Sequence, residues 1–237
     1  MIKLEKTEVM GLEAAIRGMR NPKNSWEKSD SRYCSEYGHP PIEGSCEYCP
    51  HDKMCDKSEK SMQQMYLIED NDLNLMTTLR NAGTDHRKFM RMIIVYLDIT
   101  APLYWWKEFD TYKVGTVANS CSTMHKIHTK EFTMDDFSHE HLTPWNETVL
   151  RNLIVELNES RDQYLHTKNK EDWWQMIQLL PSSYNQRRTD MANYEVLANM
   201  YKSRRNHKLD EWHTFCDWIE GLPYSELITG KEKTVGI

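Results

Sequence analysis

The spacing of apolar positions predicts strands in the first half of the chain and helices throughout. Residues 8–20 (EVMGLEAAIRGMR) indicate a short strand that runs into a helix. Another helix is predicted from Asn71, which can cap it, to Gly83, which can end it. The β-rich run FMRMIIVYLDI at 89–99 precedes Thr-Ala-Pro, which is typical of a buried strand.

The second half has a stronger helical period. Pro102 suits the first turn of a helix, and Thr143-Pro144 suits the start of another. The apolar stripe of this second helix contains Leu150, Leu153, Ile154 and Leu157. Helices are also predicted over 170–180, before Pro181, and over 185–205 and 208–222. Without an internal repeat, these elements predict one α+β domain over 1–237.

Residues 21–60 are polar, rich in turn formers and almost free of aliphatic side chains, which predicts a long loop or a small inserted lobe. Their cysteines follow the spacing C-x11-C-x2-C-x5-C: Cys34, Cys46, Cys49 and Cys55. Such thiolates can close a zinc site, with His39 or His51 as alternative ligands, and the metal would replace a missing core. An iron–sulfur centre, or four free thiols, are the alternatives.

Composition and charge narrow the class of protein. The chain has 237 residues, of which 39% are hydrophobic and 28% charged, so it is not wholly disordered. It has no apolar run of about 18 residues and no signal core, which predicts a soluble cytoplasmic protein without a membrane partner. The net charge of −6 argues against a general nucleic-acid coat, although it leaves room for a basic pocket around one phosphate.

Histidines and arginines supply further chemistry. The pairs His125/His128 and His139/His141 lack a nearby carboxylate in a metal-binding pattern, which favours surface or hydrogen-bonded histidines. Four arginines fall on the helix predicted for 185–205: Arg187, Arg188, Arg204 and Arg205. The first and last share an azimuth about 27 Å apart. Such arginines would grip a phosphate or a carboxylate, or else form a solvated basic face.

Tryptophans and a polar segment flank the helix that begins at Pro102. Six tryptophans fit helix-packing positions, which favours core, with a stacking platform for a base or flavin ring as the alternative: Trp105, Trp106, Trp173, Trp174, Trp212 and Trp218. The stretch TAPLYWWKEFDTYKVGTVANSCSTMHKIH (100–128) reads as a helix and then a loop dense in hydroxyl and amide groups. A ligand site needs such groups to form oriented hydrogen bonds.

Three blocks in sequence resemble the flavin-dependent thymidylate synthases. The first is VMGLEAAIRGMR (9–20), similar to the N-terminal strand and helix of that family. The second, APLYWWKEFDTYKVGTVANSCS (101–122), resembles the block with the signature Arg-His-Arg-x-x-Ser-x-Asn. The third, at 179–215, resembles the helices with the pattern Leu-Pro, Arg, Asn, Arg and Gln-Trp-Glu.

The resemblance implies a fold and a chemistry. The fold would be α+β, with a central, mostly antiparallel sheet and packed helices, to which the cysteine-containing lobe is added. The family implies a homotetramer with active sites where subunits meet. It also implies FAD as cofactor, NADPH and methylenetetrahydrofolate as co-substrates, and dUMP as methyl acceptor.

In the second block the resemblance carries over only in part. Lys107-Glu108-Phe109 stands where the family has Arg-Gln-Trp, and Thr111-Tyr112-Lys113 where it has Arg-His-Arg, so Lys113 alone keeps a positive charge in that triplet. Thr116 keeps the signature hydroxyl. The signature Asn falls on Ala118, beside Asn119, and the later Ser falls on Cys121, between Ser120 and Ser122.

The third block keeps more of the pattern. Arg187 matches the nucleotide-binding Arg and Asn193 the flavin-side Asn. Arg204, or else Arg205, matches the Arg that holds the pyrimidine, and His207 resembles the His that follows it. By resemblance, Arg204 and Arg205 are the catalytic residues. The cofactor-binding residues are Lys113, Thr116, Asn119, Asn193 and His207, and the substrate-binding residues are Arg187, Ser120 and Ser122.

Two hypotheses follow from these matches. The first is a divergent flavin enzyme that methylates a pyrimidine deoxynucleotide such as dUMP, or performs a related one-carbon or hydroxymethyl transfer. The second is a catalytically altered or inactive relative that binds a nucleotide or a protein partner.

Overall fold

The structure, a computed structural model, describes residues 2–33 and 66–231. The predicted metal ligands Cys34, Cys46, Cys49 and Cys55, with His39 and His51, lie outside the described residues.

The larger sheet of the described residues has four strands. Its strands, in spatial order, are β1 (Lys3–Met10), β4 (Ile94–Pro102), β6 (Asn185–Asn193) and β5 (Thr116–Ser120). Strands β5 and β6 are antiparallel, and their register runs from Thr116 opposite Ala192 to Ser120 opposite Arg188. A short antiparallel pair, β2 (Arg32–Tyr33) and β3 (Tyr66–Leu67), forms a second sheet. The predicted α+β class is confirmed.

The described residues also form helices. They are α1 (Leu12–Arg20), α2 (Asp70–Asn81), α3 (Leu103–Phe109), α4 (Pro144–Thr167), α5 (Lys170–Leu179), α6 (Tyr194–Arg204), α7 (Asp210–Glu220) and α8 (Glu226–Thr229). No helix in this part of the chain is both long and apolar enough to cross a membrane.

Helix α4 forms as its sequence predicts. The Thr143 hydroxyl accepts a hydrogen bond from the Asn146 amide, which satisfies one of the free donors at the helix N-terminus. Its stripe buries Leu150, Ile154 and Leu157. Helix α5 confirms the predicted helix before Pro181, and α7 confirms the last predicted helix.

The single helix predicted for 185–205 is wrong. Its first half is strand β6, and helix α6 begins only at Tyr194. The Asn193 side chain accepts a hydrogen bond from the Val196 amide and so caps the new helix. Pairing with β5 holds 185–193 in the extended state, because long-range hydrogen bonds override a helical propensity. Arg187 and Arg205 therefore do not lie on one helix.

Three smaller predictions also need correction. The segment predicted as a strand from 89 begins with a 3₁₀ turn, Lys88–Met92, and becomes strand only in β4. The polar loop predicted after α3 contains the edge strand β5. Helix α2 follows Glu69 at its N-cap position, so Asn71 is not the cap; its backbone amide donates instead to the Asp30 carboxylate.

The chain divides into two compact units. One comprises Met1–Glu8, Val95–Ala192 and Met200–Trp218, and the other comprises Val9–Ile94, Asn193–Asn199 and Ile219–Ile237. The first unit contains two apolar clusters. One lies under α4 and α5 and is built from Ile127, Phe132, Phe137, Leu150, Ile154, Leu157 and Met176. The other is aromatic and surrounds Trp105, whose ring centroid lies 4.7 Å from Trp212 and 5.0 Å from Phe109.

In the second unit a buried ion pair joins α1 to α2. Arg20 Nε donates to Asp72 Oδ1 at 2.6 Å, and Asp72 has no exposed surface. Gly11 precedes α1 with a φ of +88°, a left-handed conformation that glycine adopts without strain. A Cβ there would lie 2.1 Å from the Met92 carbonyl oxygen, so the Val-Met-Gly of the first block has a steric reason.

Candidate functional site

One carboxylate oxygen collects three nitrogen donors at the end of α3. Glu108 Oε2 lies 2.8 Å from Arg204 Nη1, 2.8 Å from Trp212 Nε1 and 3.3 Å from His207 Nε2. Arg204 Nε also donates to the Tyr112 hydroxyl at 3.0 Å. We call these five residues the Glu108 cluster. All of them belong to the first unit.

Aromatic packing explains why these side chains meet. Helix α3 buries Trp105, Trp106 and Phe109, and Trp212 of α7 packs against Trp105 without any exposed surface. The fixed indole of Trp212 then supports the Arg204 guanidinium, which lies 4.9 Å from the ring centroid. Cations bind favourably over such a ring face.

The Glu108 cluster remains accessible to a ligand. The exposed fractions of the side chains are 18% for Arg204, 32% for Glu108 and 24% for His207. Arg204 Nη2 and Glu108 Oε1 make no hydrogen bond to a described residue. The two partners of this ion pair therefore retain one donor group and one acceptor atom.

A second carboxylate, Asp98 of β4, holds the first arginine of the third block. It accepts hydrogen bonds from Thr189 Oγ1 and Arg187 Nη2, both at 2.6 Å. These two bonds lower the pKa of Asp98. Arg187 and Thr189 are two positions apart on β6, so they share one face of the sheet.

The opposite face of β6 carries a third ion pair. Arg188 Nη1 and Nη2 donate to the two Asp110 oxygens at 2.6 and 3.3 Å, and the guanidinium lies 3.9 Å from the Trp106 ring centroid. Arg188 Nε also donates to the Gln186 side chain at 3.1 Å. Each of Arg187, Arg188 and Arg204 is thus neutralised by one carboxylate.

Asp190, on the same face as Arg188, is buried without a hydrogen bond. It is 1% exposed, and neither carboxylate oxygen has a partner among the described residues. Burial raises the pKa of Asp190 to about 7. The nearby charge of Asp110 also raises this pKa, and the charge of Arg188 lowers it in part. Ionisation of such a buried, unpaired carboxyl lowers the free energy of unfolding.

Asp190→Asn is expected to change how stability depends on pH. Because the folded-state pKa of Asp190 lies above its unfolded value of about 3.9, the carboxyl destabilises the fold increasingly as pH rises from about 4 to 7. The Asn variant should be more stable than wild type by about 1–2 kcal/mol above this range, and equal to it or less stable near pH 4. Urea unfolding across that range measures the effect, and parallel curves for the two proteins would contradict it.

The structure brings together only some of the predicted site residues. Arg204 and His207 meet in the Glu108 cluster, whereas Arg205 pairs with Asp217 at 2.7 Å. Arg187 binds Asp98, and the Asn193 side chain caps α6.

The predicted residues of the α3–β5 segment have mostly local contacts. The Thr116 hydroxyl donates to the Tyr112 carbonyl at 2.6 Å, and Ser122 Oγ accepts from the amides of Met124 and His125. Lys113, Asn119 and Ser120 are exposed. These exposed groups lie on the loop after α3 and on the edge strand β5.

Sequence reasoning did not identify the acidic partners Asp98 and Asp110, nor the role of Glu108. Their arginines are 89, 78 and 96 positions away along the chain. No local spacing links residues so distant. The sequence contains one signal of the ion pair with Arg204, which is the acidic Glu108 at a position where the family that the chain resembles has Gln.

The remaining candidates for site chemistry are the paired histidines and a metal-binding group. Burial lowers the pKa of His128, His139 Nδ1 lies 2.8 Å from the Phe137 carbonyl, and His141 lies 3.2 Å from Asp210. Within residues 2–33 and 66–231, no three His, Cys, Asp or Glu side chains form a metal-binding group. The cysteine zinc site stays a prediction, because its ligands lie outside these ranges.

Comparisons with known proteins give a fold relationship. No protein-family model matches the chain, and no curated protein matches it. Two solved structures of the Helicobacter pylori flavin-dependent thymidylate synthase, both complexed with FAD and dUMP, match with a TM-score of 0.61 and 15% identity. One match covers 97% of this chain and 98% of the other, and the second covers 96% and 98%. The chain therefore has the fold of the flavin-dependent thymidylate synthases.

Proposed function

We propose that the chain binds a pyrimidine deoxynucleotide such as dUMP and acts on it as a thymidylate synthase-type enzyme. The reaction would be reductive methylation or a related one-carbon transfer. The proposal is supported by a fold match over nearly the whole chain to proteins that hold FAD and dUMP. Methylenetetrahydrofolate and NADPH would be the co-substrates.

The Glu108 cluster is the observation that carries this proposal. Arg204 is fixed by Tyr112, Glu108 and the Trp212 ring, yet its Nη2 remains free to donate. A guanidinium held in this way can polarise a pyrimidine carbonyl without reorganising during the reaction. His207 borders the same carboxylate, with its Nε2 3.3 Å from Glu108 Oε2.

The residues of the α3–β5 segment suit a flavin nucleotide. Lys113 offers an exposed ammonium for a phosphate, and Asn119 offers an exposed amide for a ring edge. The Thr116 hydroxyl keeps its acceptor lone pairs, since it donates to Tyr112. FAD, when bound, would supply the redox chemistry. Arg187, which is 50% exposed, and the hydroxyls of Ser120 and Ser122 would hold the nucleotide phosphate.

A catalytically altered nucleotide-binding or partner-binding protein is the second candidate. The observation that favours it is the neutralisation of Arg187, Arg188 and Arg204 by three carboxylates. Thr111 and Tyr112 further reduce the positive charge, because they stand where the family signature has Arg and His. A nucleotide would then bind without methylation.

The absorption spectrum of the purified protein and a genetic test separate the two candidates. An active enzyme should show flavin bands, as purified or after addition of FAD, and should rescue a thymidine-requiring strain. Flavin and dUMP binding without rescue would favour the altered protein. A colourless protein that takes up neither FAD nor dUMP would contradict both forms of the nucleotide proposal.

Assembly and metal content extend the proposal. We propose a homotetramer, supported by large apolar side chains that the single chain exposes on the sheet, including Tyr96 at 41% and Val117 at 62%. We also propose that the clustered cysteines bind zinc, on the strength of their spacing. Light scattering of the purified protein tests the homotetramer, which a monomer would contradict. Metal analysis of the same sample tests the zinc site, which a metal-free protein would contradict.

A further inference from the structure

We infer that Glu108 is a specificity-determining residue of the nucleotide site. The Glu108 carboxylate cancels the charge of the Arg204 guanidinium. The pair therefore accepts an uncharged pyrimidine edge and rejects an anionic one. This inference rests on the proposed function.

The first reason is the charge of the Glu108 cluster. Glu108 Oε2 accepts hydrogen bonds from Arg204 and Trp212 and lies 3.3 Å from His207 Nε2. Such a convergence of donors is a typical anion-binding arrangement. Here the anion is part of the chain, so an anionic ligand would meet a carboxylate of its own sign.

The second reason is the pair of groups that remain free. Glu108 Oε1 is an acceptor and Arg204 Nη2 is a donor, and neither bonds to a described residue. An acceptor and a donor on the two partners of one ion pair complement a ring edge that offers N–H next to C=O. The uracil edge has this arrangement at N3 and its neighbouring carbonyl groups. Loss of the N3 proton would place two acceptors, and a negative charge, against Glu108.

A purely structural role for Glu108 predicts a different result. If Glu108 served only to anchor the Trp212 indole, a glutamine would replace it, because its amide oxygen also accepts that hydrogen bond. Stability would change little, and no preference among ligands would change. The ratio of affinities for a neutral and an anionic base therefore separates the two roles.

The test compares Glu108→Gln with wild type in calorimetric titrations of the full chain. The probes are dUMP and its 6-aza analogue, a near-isosteric nucleotide whose N3–H is more acidic. Each is titrated on the acid and the alkaline side of the 6-azauracil ionisation, and dUMP corrects for every other pH-dependent change in binding. Wild type should lose about tenfold in affinity for the analogue relative to dUMP when its ring ionises. Glu108→Gln should instead gain about tenfold.

Two further variants control the comparison. Glu147→Gln removes the same charge from the exposed Arg151 pair on α4 and should behave as wild type. Glu108→Asp keeps the charge and should keep the discrimination of wild type, even where melting temperatures differ.

The outcomes are distinguishable. If wild type and Glu108→Gln bind dUMP and show the same ratio of affinities, the inference fails and the proposed function stands. If no variant and no wild-type sample binds dUMP, the proposed function fails and the inference fails with it.

Discussion

Arg204→Gln is expected to weaken dUMP binding by roughly 10- to 100-fold, since a charge-assisted hydrogen bond contributes about 1.5–3 kcal/mol. The substitution removes the cation that Trp212 and Tyr112 position, and it leaves Glu108 without its guanidinium. A calorimetric titration of purified protein measures the loss. Arg204→Lys should recover only part of it, because an ammonium cannot reproduce the planar fork of a guanidinium.

Arg151→Gln is the matched control for this experiment. Arg151 forms an exposed ion pair with Glu147 on α4, so the control makes the same chemical change away from the Glu108 cluster. Its dUMP affinity should equal that of wild type. Equal affinities in wild type and Arg204→Gln would contradict the assignment of Arg204.

Asp72→Ala is expected to have the largest effect on stability, about 3–5 kcal/mol, because it leaves the buried Arg20 guanidinium without its carboxylate. Arg20 and Asp72 side chains are 4% and 0% exposed. Asp72 also accepts hydrogen bonds from the hydroxyls of Ser29 and Ser31, at 2.7 and 2.6 Å, and from two backbone amides. Thermal unfolding should show a midpoint lower by roughly 10 °C.

Asp70→Ala is the control for Asp72. Asp70 lies two positions earlier in the first turn of α2 and is exposed, so its loss should cost no more than about 1 kcal/mol through the helix dipole. If both variants lost the same stability, the buried pair would not have the role given to it.

The contribution of Asp72 should also depend on pH. Burial alone would raise the pKa of Asp72, but hydrogen bonds from Ser31, Ser29 and Arg20 outweigh burial and hold the pKa below its ordinary value. A depressed folded-state pKa gives stability that is present above the unfolded pKa of about 3.9 and is lost as pH falls through the folded value. The difference between wild type and Asp72→Ala should therefore shrink in acid.

Sequence could predict those elements whose signals are local. Helix α4 has a threonine cap, a proline in its first turn and an apolar stripe, and it formed where they indicate. The Trp105, Trp106 and Trp212 side chains lie in the core, as their helical positions indicated. Each of these features depends on neighbours within a few turns of helix.

Strands β5 and β6 show where local signals are insufficient. The segment 185–193 lacks a run of β-branched residues, and no glycine or proline separates it from α6. It is extended because Arg188 and Ala192 pair with Ser120 and Thr116, which lie about 70 positions earlier in the chain. The one local signal was Asn193, whose side chain caps the helix that follows.

The sequence predicted which residues belong to the site, but it did not predict which side chains they contact. Resemblance selected Arg187 and Arg204 from the third block, and His207 beside Arg204. It gave no indication that Asp98 and Glu108 would neutralise these arginines, because an ion pair between distant segments leaves no pattern in the chain. The acidic partners are what distinguish this site chemically from the pattern that it resembles.

The central claim is that this chain binds a pyrimidine deoxynucleotide through Arg204 on a flavin-enzyme fold. Titration of dUMP into the purified, FAD-supplemented protein, with Arg204→Gln in parallel, tests it most directly. The account predicts saturable binding near one dUMP per chain in wild type and a loss of roughly 10- to 100-fold in the variant. Absence of dUMP binding to a folded, FAD-supplemented wild-type protein would contradict it.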